Sequence, residues 1–507
     1  MRPNILVLMC DQLQARAISD AALCDTPNVD RLRRRGVSFS RAYTPNAVCS
    51  PARASLMTGK LPHNHNVLWV THTMPHDQVR IREGLPHFAE DLVAAGYTTS
   101  YVGKWHVEPS ERPSWYGWQR DRSSRSATMA RREPRAHGEL DPEITITGEG
   151  YRPATLAGVT DVPPGERAMG VITDLAATEL DELAKTPDEP WCLFVSVPEP
   201  HDPYIAGRDA YRGYEGRDLP VPANWQDELG GRPRVYQRAA RVFEGLSEAD
   251  RLTTARCYYA SISEIDALFG RLLGELDDRG IAQDTAVVLL TDHGDYLGAH
   301  GMYCKNLGAW EEAYNVPLVI AGPGIGPGEQ ADGASPLVSN ARVGTHAVFP
   351  SLLRHYGIPT RIDCDAPLFD DVLAASGGRA IATADERHGD GLAEYHGGRL
   401  LLTQRIYYHR DWKLVWNGFD DHEFYNLADD PGELTNLAGA DGPALARDGE
   451  AGAAYRDVAA AYREVTAAYR EVTARMWAEI ERTGDATLVN SHYVGLRASE
   501  IGPLGAR

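Results

Sequence analysis

The sequence is poor in cysteine and has no long hydrophobic run. Its 507 residues include seven cysteines, which are scattered without paired spacing. An odd number of isolated cysteines in so long a chain does not indicate a disulfide framework, and a reducing compartment suits it better. The apolar run at 5–9 is too short for the core of a signal peptide, and no segment approaches the roughly 20 apolar residues of a membrane span. We therefore expect a cytoplasmic protein without a membrane segment.

Positive charge is also in short supply. The chain has 51 lysines and arginines against 71 aspartates and glutamates, which gives a formal net charge of -20. This balance argues against general binding to nucleic acids or anionic membranes, and an anionic substrate would need a local positive pocket. The length allows roughly two to four domains, or one large α/β domain with a smaller satellite.

Short apolar runs alternate with helical patterns over most of the chain. The run at 5–9 shows no polar alternation, which is typical of a parallel strand covered on both faces, and further strand-like segments lie at 97–102, 191–197 and 286–290. Strands that alternate with helices predict a largely parallel sheet. A cluster of polar residues follows each run, and open α/β sheets carry their sites at that edge.

The pattern changes near residue 375. Two strand-like segments at 405–409 and 412–416 flank a tight turn at Arg410 and Asp411, which predicts a small antiparallel domain. We therefore divide the chain into a catalytic α/β domain at 1–375 and a C-terminal subdomain at 376–507, with antiparallel strands and a long terminal helix. Three tyrosines spaced seven residues apart, Tyr455, Tyr462 and Tyr469, are compatible with a coiled coil. We favour a single long helix packed on its own domain.

The segment at 112–135 interrupts the regular pattern with seven arginines and two acidic residues. It suits a lid that supplies positive charge to a pocket. An irregular surface loop explains the composition of this segment equally well.

The most informative local sequence is CSPAR, which begins at Cys49. It lies where a strand-like run leads into a short helix that ends at Gly59. Ser50 is a credible N-cap and Pro51 a credible first helical residue, so the Cys49 thiol is expected beside unpaired backbone N–H groups. The positive end of the helix dipole would make that position a binding site for an anion. By itself, the string is also compatible with a buried cysteine that has no chemical role and simply precedes a helix.

The wider pattern resembles the type I, formylglycine-dependent sulfatases of the alkaline-phosphatase-like superfamily. The resemblance covers most of the chain in order, through the strings PNILVLMCDQL, CSPARASLMTGK, GYTTSYVGKWH, EPHDPY, TDHGDYLGAHG, EEAYNVPLVI, DWKLVW and EFYNLADDPGELTNLA. It implies an α/β, alkaline-phosphatase-like fold with a large, mostly parallel sheet flanked by helices. A smaller C-terminal antiparallel α+β subdomain completes this fold.

The resemblance also implies a modified nucleophile and a bound cation. Cys49 would be oxidised to 3-oxoalanine (formylglycine) by a formylglycine-generating or other sulfatase-maturing enzyme. One divalent cation would be held by residue 49 together with Asp11, Gln12, Asp292 and His293. Calcium is the expected ion. Because Gln12 and His293 make this set less anionic than the family's usual ligands, manganese is the second candidate.

The resemblance gives the remaining roles to basic residues. Arg53 would stabilise the formylglycine and the metal site, and the amines of Lys104 and Lys305 would bind the sulfuryl oxygens. His106 would hydrogen-bond to the formylglycine hydrate. His201 would face the oxygen of the leaving group.

These roles are chemically coherent. A sulfate monoester carries a spread negative charge that repels nucleophiles, so fixed positive groups lower the barrier. One hydroxyl of a geminal diol attacks sulfur, and the second, deprotonated by a base such as His106, expels sulfate and regenerates the aldehyde. A protonated His201 suits the general acid that neutralises the departing alcohol.

We therefore expect a hydrolase that acts on a small-molecule or saccharide sulfate ester. A rival is a phosphonate monoester or phosphodiester hydrolase of the same superfamily, in which the Gln and His pattern also occurs. Two further alternatives are a non-catalytic metal-binding relative, which uses the late heptads for assembly, and a thiol-based enzyme. The sequence leaves open whether the chain forms a homo-oligomer.

Overall fold

A computed structural model describes residues 2–148, 152–305, 307–327, 335–375, 377–398, 401–438 and 453–489. The strands are β1 Asn4–Cys10, β2 Val37–Tyr43, β3 Thr98–Gly103, β4 Arg120–Ser123, β5 Leu140–Ile146, β6 Ala154–Thr160, β7 Trp191–Ser196, β8 Tyr204–Gly207, β9 Thr285–Thr291, β10 Leu318–Ala321, β11 Leu337–Gly344, β12 Asp390–Gly397, β13 Leu401–His409, β14 Trp412–Asn417 and β15 Glu423–Asn426. The helices are α1 Ala15–Ser19, α2 Pro27–Arg35, α3 Cys49–Thr58, α4 Pro62–His65, α5 Phe88–Ala94, α6 Ala127–Ala130, α7 Ala168–Leu183, α8 Arg208–Arg212, α9 Arg234–Ala240, α10 Glu248–Asp278, α11 Glu311–Tyr314, α12 Val348–His355, α13 Asp370–Leu373, α14 Gly378–Asp385, α15 Ala453–Thr483 and α16 Ala486–Val489.

Eight strands form the central sheet, in the order β11-β2-β10-β9-β1-β7-β3-β4. Only β10 runs against its neighbours, so the prediction of a mostly parallel sheet is confirmed. Alternate residues of β1 enter two different cores: Leu6 and Leu8 pack on one face, and Ile5 and Val7 on the other. Burial on both faces explains why these strands read as continuous apolar runs.

The sequence did not reveal two parts of the architecture. A separate three-stranded sheet joins strands in the order β5-β6-β8. The basic segment at 112–135 contains β4, which extends the central sheet beside β3. Arg120 and Arg122 of this strand pair with Glu179 over 2.6 and 2.9 Å, so these two arginines hold the sheet edge to α7.

The small antiparallel sheet has the order β12-β13-β14-β15, and the predicted turn joins β13 to β14. Arg410 in that turn has φ 53, in the left-handed region. One face of the sheet packs on the catalytic core and the other on α15. The helix contributes residues spaced three or four apart, which confirms the single packed helix: Tyr469, Val472, Met476 and Ile480. The side chains of Tyr455 and Tyr462 lie outside the described residues.

The chain passes into the small sheet after α14. Ile381 and Ala384 of this helix pack into the core of the central sheet, and the first strand of the small sheet begins at Asp390. The division after residue 375 stays a prediction. None of the described helices combines the length and apolarity that crossing a bilayer requires. No disulfide bond joins any of the seven cysteines, all of which lie in the described part of the chain.

Candidate active site

The predicted site residues meet at the carboxyl edge of the central sheet. Asp11 and Gln12 follow β1, Asp292 and His293 follow the neighbouring β9, and both pairs are buried. The loops after β3 and β7 and the start of α3 bring in the remaining predicted residues: Cys49, Arg53, Lys104, His106 and His201. Lys305 arrives from the loop after β9. The order of the strands therefore assembles the constellation from five distant parts of the chain.

Cys49 is the first residue of α3, so the expected N-cap role of Ser50 is wrong. Val48 has extended dihedral angles of φ -132 and ψ 134 and is the N-cap. The hydroxyl oxygen of Ser50 instead accepts a hydrogen bond from the backbone N–H of Thr71 over 3.3 Å. The helix therefore begins two residues earlier than expected, at Cys49 instead of Pro51, and the Cys49 side chain still projects from its first turn, beside the positive end of the helix dipole.

Arg53 holds several residues of the site in place through hydrogen bonds. Its guanidinium is fully buried and donates to Asp292 over 2.7 Å and to Asp11 over 2.9 Å. The third nitrogen donates to the Lys104 carbonyl and the Ser196 hydroxyl, each over 3.0 Å. Burial opposes the charge of Arg53, but the two carboxylates outweigh it and raise its pKa. Arg53 therefore fixes two metal-ligand candidates and the start of the Lys104 loop.

Four side chains converge as a set that can hold a metal ion. One ligand atom from each of Asp11, Cys49, Asp292 and His293 lies within 4.8 Å of the other three. The set combines hard carboxylate oxygens with an imidazole nitrogen, and it fits a divalent cation of calcium or borderline character. Nδ1 of His293 hydrogen-bonds to the Gly294 carbonyl over 2.9 Å, which turns Nε2 towards the set.

Gln12 is turned partly away from this set. Its backbone N–H donates to Asp292 over 3.2 Å, while its side-chain oxygen accepts from Nζ of Lys305 over 2.7 Å. The amide nitrogen donates to Asp202 over 3.1 Å and to Asp295. Gln12 thus lies beside the metal-ligand set but connects it to Lys305 and two further carboxylates.

The two lysines place positive charge beside the metal-ligand set, Lys104 at Asp11 and Lys305 at Gln12. Nζ of Lys104 bonds to Asp11, and Nζ of Lys305 contacts Nε2 of His201 as well as Gln12. Burial disfavours the charge of Lys305, but nearby acidic groups outweigh it and raise its pKa. Nδ1 of His201 lies 2.6 Å from the backbone carbonyl of Asp202, a contact that anchors the ring. Both lysines are therefore positioned as cations that can bind an anionic group.

The environment of Cys49 favours a negative charge. Burial by itself raises the pKa of the thiol, but Lys305, Lys104, His293 and the nearby His106 together bring it well below its usual value. Burial raises the pKa of Asp11 too, yet Lys104, His201 and Arg53 hold it well below the ordinary range. Position 49 is therefore electropositive enough to attract an anionic substrate despite the acidic chain.

Sequence reasoning assigned no role to three residues that the structure brings to the site. Asp202 and Asp295 hold the Gln12 amide, and Asp295 also accepts from the Tyr204 hydroxyl over 2.7 Å. Burial raises the pKa of Asp295 to about 7. His72 lies beside His106. The strings EPHDPY and TDHGDYLGAHG contained the two aspartates, but nothing in the sequence signalled His72.

A second cluster, His63, Glu394 and Asp485, has ligand atoms equally close together. The guanidinium of Arg405 donates to Asp485 over 2.8 Å and lies 3.8 Å from Glu394. This buried arginine already supplies the positive charge that a metal would bring. The cluster therefore fits a structural ion-pair network between α4 and the C-terminal subdomain.

Comparisons with known proteins show what the chain is similar to. A family model described as Sulfatase matches residues 3–358. The choline-sulfatase of Rhizobium meliloti is 30% identical over 465 residues, which cover 86% of this chain and 82% of that protein. The N-acetylglucosamine-6-O-sulfatase of Bacteroides thetaiotaomicron is 25% identical over 509 residues, covering 86% of this chain and 83% of that protein.

The fold has counterparts among solved structures. The phosphonate monoester hydrolase of Silicibacter pomeroyi superposes with a TM-score of 0.70 at 20% identity, and the match covers 96% of each chain. At this identity the likeness concerns the fold. It confirms the alkaline-phosphatase-like class that the sequence indicated.

Proposed function

Because the chain belongs to the sulfatase family of sulfuric ester hydrolases, we propose that it hydrolyses sulfate monoesters through a formylglycine hydrate derived from Cys49. One divalent cation assists, with calcium as the first candidate and manganese as the second. The observation that carries this proposal is the position of Cys49. Its sulfur lies 3.1 Å from Nε2 of His293 and 3.7 Å from Asp11, inside the metal-ligand set.

The cation would be held by Asp11, Asp292 and His293 together with residue 49, with the side-chain oxygen of Gln12, which also accepts from Lys305, as the fifth ligand. It would supply electrophilic stabilisation of the negative charge. Arg53 keeps Asp11 and Asp292 in place. The amines of Lys104 and Lys305 bind the sulfuryl oxygens and offset the charge that repels a nucleophile. Both amines are already held by hydrogen bonds, Lys104 to Asp11 and Lys305 to Gln12, which limits the reorganisation that substrate binding requires.

Two histidines move protons in this proposal. His201 is anchored through Nδ1 at the Asp202 carbonyl, and its Nε2 accepts from Nζ of Lys305. When Lys305 turns to the sulfuryl oxygens, a proton taken up at Nε2 passes to the oxygen of the departing alcohol. His106 lies beside position 49 and accepts a proton from the hydrate hydroxyl that remains. His201 thus assists release of the alcohol, and His106 assists the later release of sulfate.

The substrate is proposed to be a small-molecule or saccharide sulfate ester. The names of the relatives support this range, since one is a choline-sulfatase and another an N-acetylglucosamine-6-O-sulfatase. The cytoplasmic location, the maturing enzyme and any homo-oligomeric state stay predictions.

Turnover of an aryl sulfate by wild-type protein and by Cys49→Ala tests the proposal. We expect activity in the wild type that depends on a divalent cation, and none in the variant. Activity that survives in Cys49→Ala would contradict it. Cys49→Ser tests the thiol-based alternative, in which His293, 3.1 Å from the Cys49 sulfur, would be the partner of the thiol. If the maturing enzyme oxidises the serine to formylglycine, this variant turns over substrate although Cys49→Ala does not. An enzyme that uses the thiol itself would be inactive in both variants.

A phosphonate monoester hydrolase is the second candidate, because a protein with that name shares the fold at a TM-score of 0.70. Parallel kcat/KM measurements with an aryl sulfate and an aryl phosphonate, on the same matured preparation, separate the two. We expect the higher value for the sulfate. A much higher value for the phosphonate would assign the second function.

A further inference from the structure

Two histidine rings meet beside position 49, and one of them has no part in the mechanism above. Nδ1 of His72 lies 3.4 Å from Nε2 of His106. The ring centroids are 5.6 Å apart and the planes are inclined by 16°. The centroid separation exceeds the distance between the nitrogens by about 2.2 Å, roughly the sum of two ring radii, as expected for an in-line hydrogen bond. The rings therefore meet edge to edge in nearly one plane rather than face to face.

The other nitrogen of His106 is placed for chemistry. Nδ1 of His106 is buried and has no hydrogen-bond partner within the described ranges. The ring nevertheless lies beside Cys49, whose pKa it helps to lower. A neutral imidazole has one donor and one acceptor nitrogen, so the bond made by one nitrogen selects the state of the other. If Nε2 donates to His72, Nδ1 is the unprotonated nitrogen.

We propose that His72 is a positioning residue that fixes His106 in the tautomer with Nε2 protonated, leaving Nδ1 able to accept a proton at position 49. This inference rests on the proposed function, in which His106 takes that proton. Partial burial and the neighbouring His106 lower the pKa of His72, which agrees with the neutral ring that a hydrogen-bond acceptor requires. His72 itself is exposed, so its replacement removes little packing.

The kinetic test compares three variants on an aryl sulfate. In His72→Leu we expect kcat to fall about 10- to 100-fold, as for other orienting partners of functional histidines, with KM changed less than about twofold. His72→Asn keeps an acceptor oxygen near the position of Nδ1 and is expected to recover most of kcat. The matched control is His76→Leu, which replaces another exposed histidine of the same segment and is expected to keep the wild-type kcat.

A spectroscopic test reads the tautomer directly, without turnover. In protein labelled with ¹⁵N-histidine, the His106 signals are assigned by their loss in His106→Gln. We expect the tautomer protonated at Nε2 in the wild type and a mixture of tautomers in His72→Leu.

A rescue experiment complements both tests. In His72→Ala, which removes the ring, added imidazole is expected to restore the kcat that the substitution lowers.

Three results would overturn the proposal: a kcat of His72→Leu within about twofold of wild type, an unchanged His106 tautomer in that variant, or a loss of kcat that neither asparagine nor imidazole repairs. Failure of the proposed function looks different. Wild-type protein would then turn over neither aryl sulfate nor aryl phosphonate, while the tautomer measurement would still decide the role of His72.

Discussion

The side-chain oxygen of Gln12 accepts a hydrogen bond from Nζ of Lys305 over 2.7 Å. A neutral amide therefore stands between the metal-ligand set and a lysine proposed to bind substrate. A carboxylate at this position would form an ion pair with Lys305 and would add a charged oxygen beside Asp292. The amide keeps the set less anionic, and it leaves the charge of Lys305 less neutralised for the sulfuryl group.

Gln12→Asp tests this relationship. We expect it to lower the dissociation constant for calcium at least about tenfold, or about 1.4 kcal/mol, because hard cations prefer charged oxygen ligands. Calorimetric titration of chelator-treated protein measures the change. Gln78→Asp, which adds the same charge at an exposed position, is the control. Equal calcium affinity in Gln12→Asp and wild type would contradict the account.

Arg53→Met removes the buried cation that holds two carboxylates. Without it, buried Asp292 loses its arginine partner and buried Asp11 keeps only Lys104 as a close cation, so we expect the free energy of unfolding of metal-free protein to fall by about 3–5 kcal/mol. Denaturant unfolding measures this quantity. Arg31→Met breaks a half-exposed pair with Asp277 and should change it by less than about 1 kcal/mol. Similar effects of the two substitutions would show that Arg53 is not central.

The position of the site could be predicted from the sequence because parallel strands place their carboxyl ends at one edge. Asp11 and Asp292 are far apart in the chain, yet β1 and β9 pair directly and bring them together. The same logic located the loop that carries His201 after β7. The site residues at the end of each strand could therefore be predicted from the apolar runs and the polar residues that follow them.

Contacts made between loops left no comparable signal. Asp295 bonds to Gln12 across 283 positions of the chain, and His72 meets His106 through loops without a periodic pattern. The Ser50 prediction failed because a local capping preference lost to a tertiary bond with Thr71. The strand β4 was missed because arginines, here paired with Glu179, do not resemble a sheet strand.

We expect His87 to make the stability of the protein depend on pH. It is buried at the start of α5, and its Nδ1 accepts from the backbone N–H of Ala89 over 3.3 Å. Burial lowers its pKa from 6.5 to about 3. The unfolded state therefore binds the proton first as pH falls below 6.5, and stability is lost between pH 6.5 and about 3.

His87→Asn keeps a capping oxygen but cannot be protonated in this range. On moving from pH 7 to pH 5, we expect wild type to lose about 2 kcal/mol more unfolding free energy than the variant. Denaturant unfolding at both pH values measures the difference, with His76→Asn as an exposed control. Parallel losses in all three proteins would show that His87 does not titrate on unfolding.

The most direct measurement is the mass of the tryptic peptide 42–53 from a preparation whose aryl sulfate turnover has been recorded. The account predicts a peptide lighter than its thiol form, by the change from cysteine to formylglycine, and turnover that rises with the modified fraction across preparations. A fully active preparation in which this peptide carries only unmodified Cys49 would contradict it.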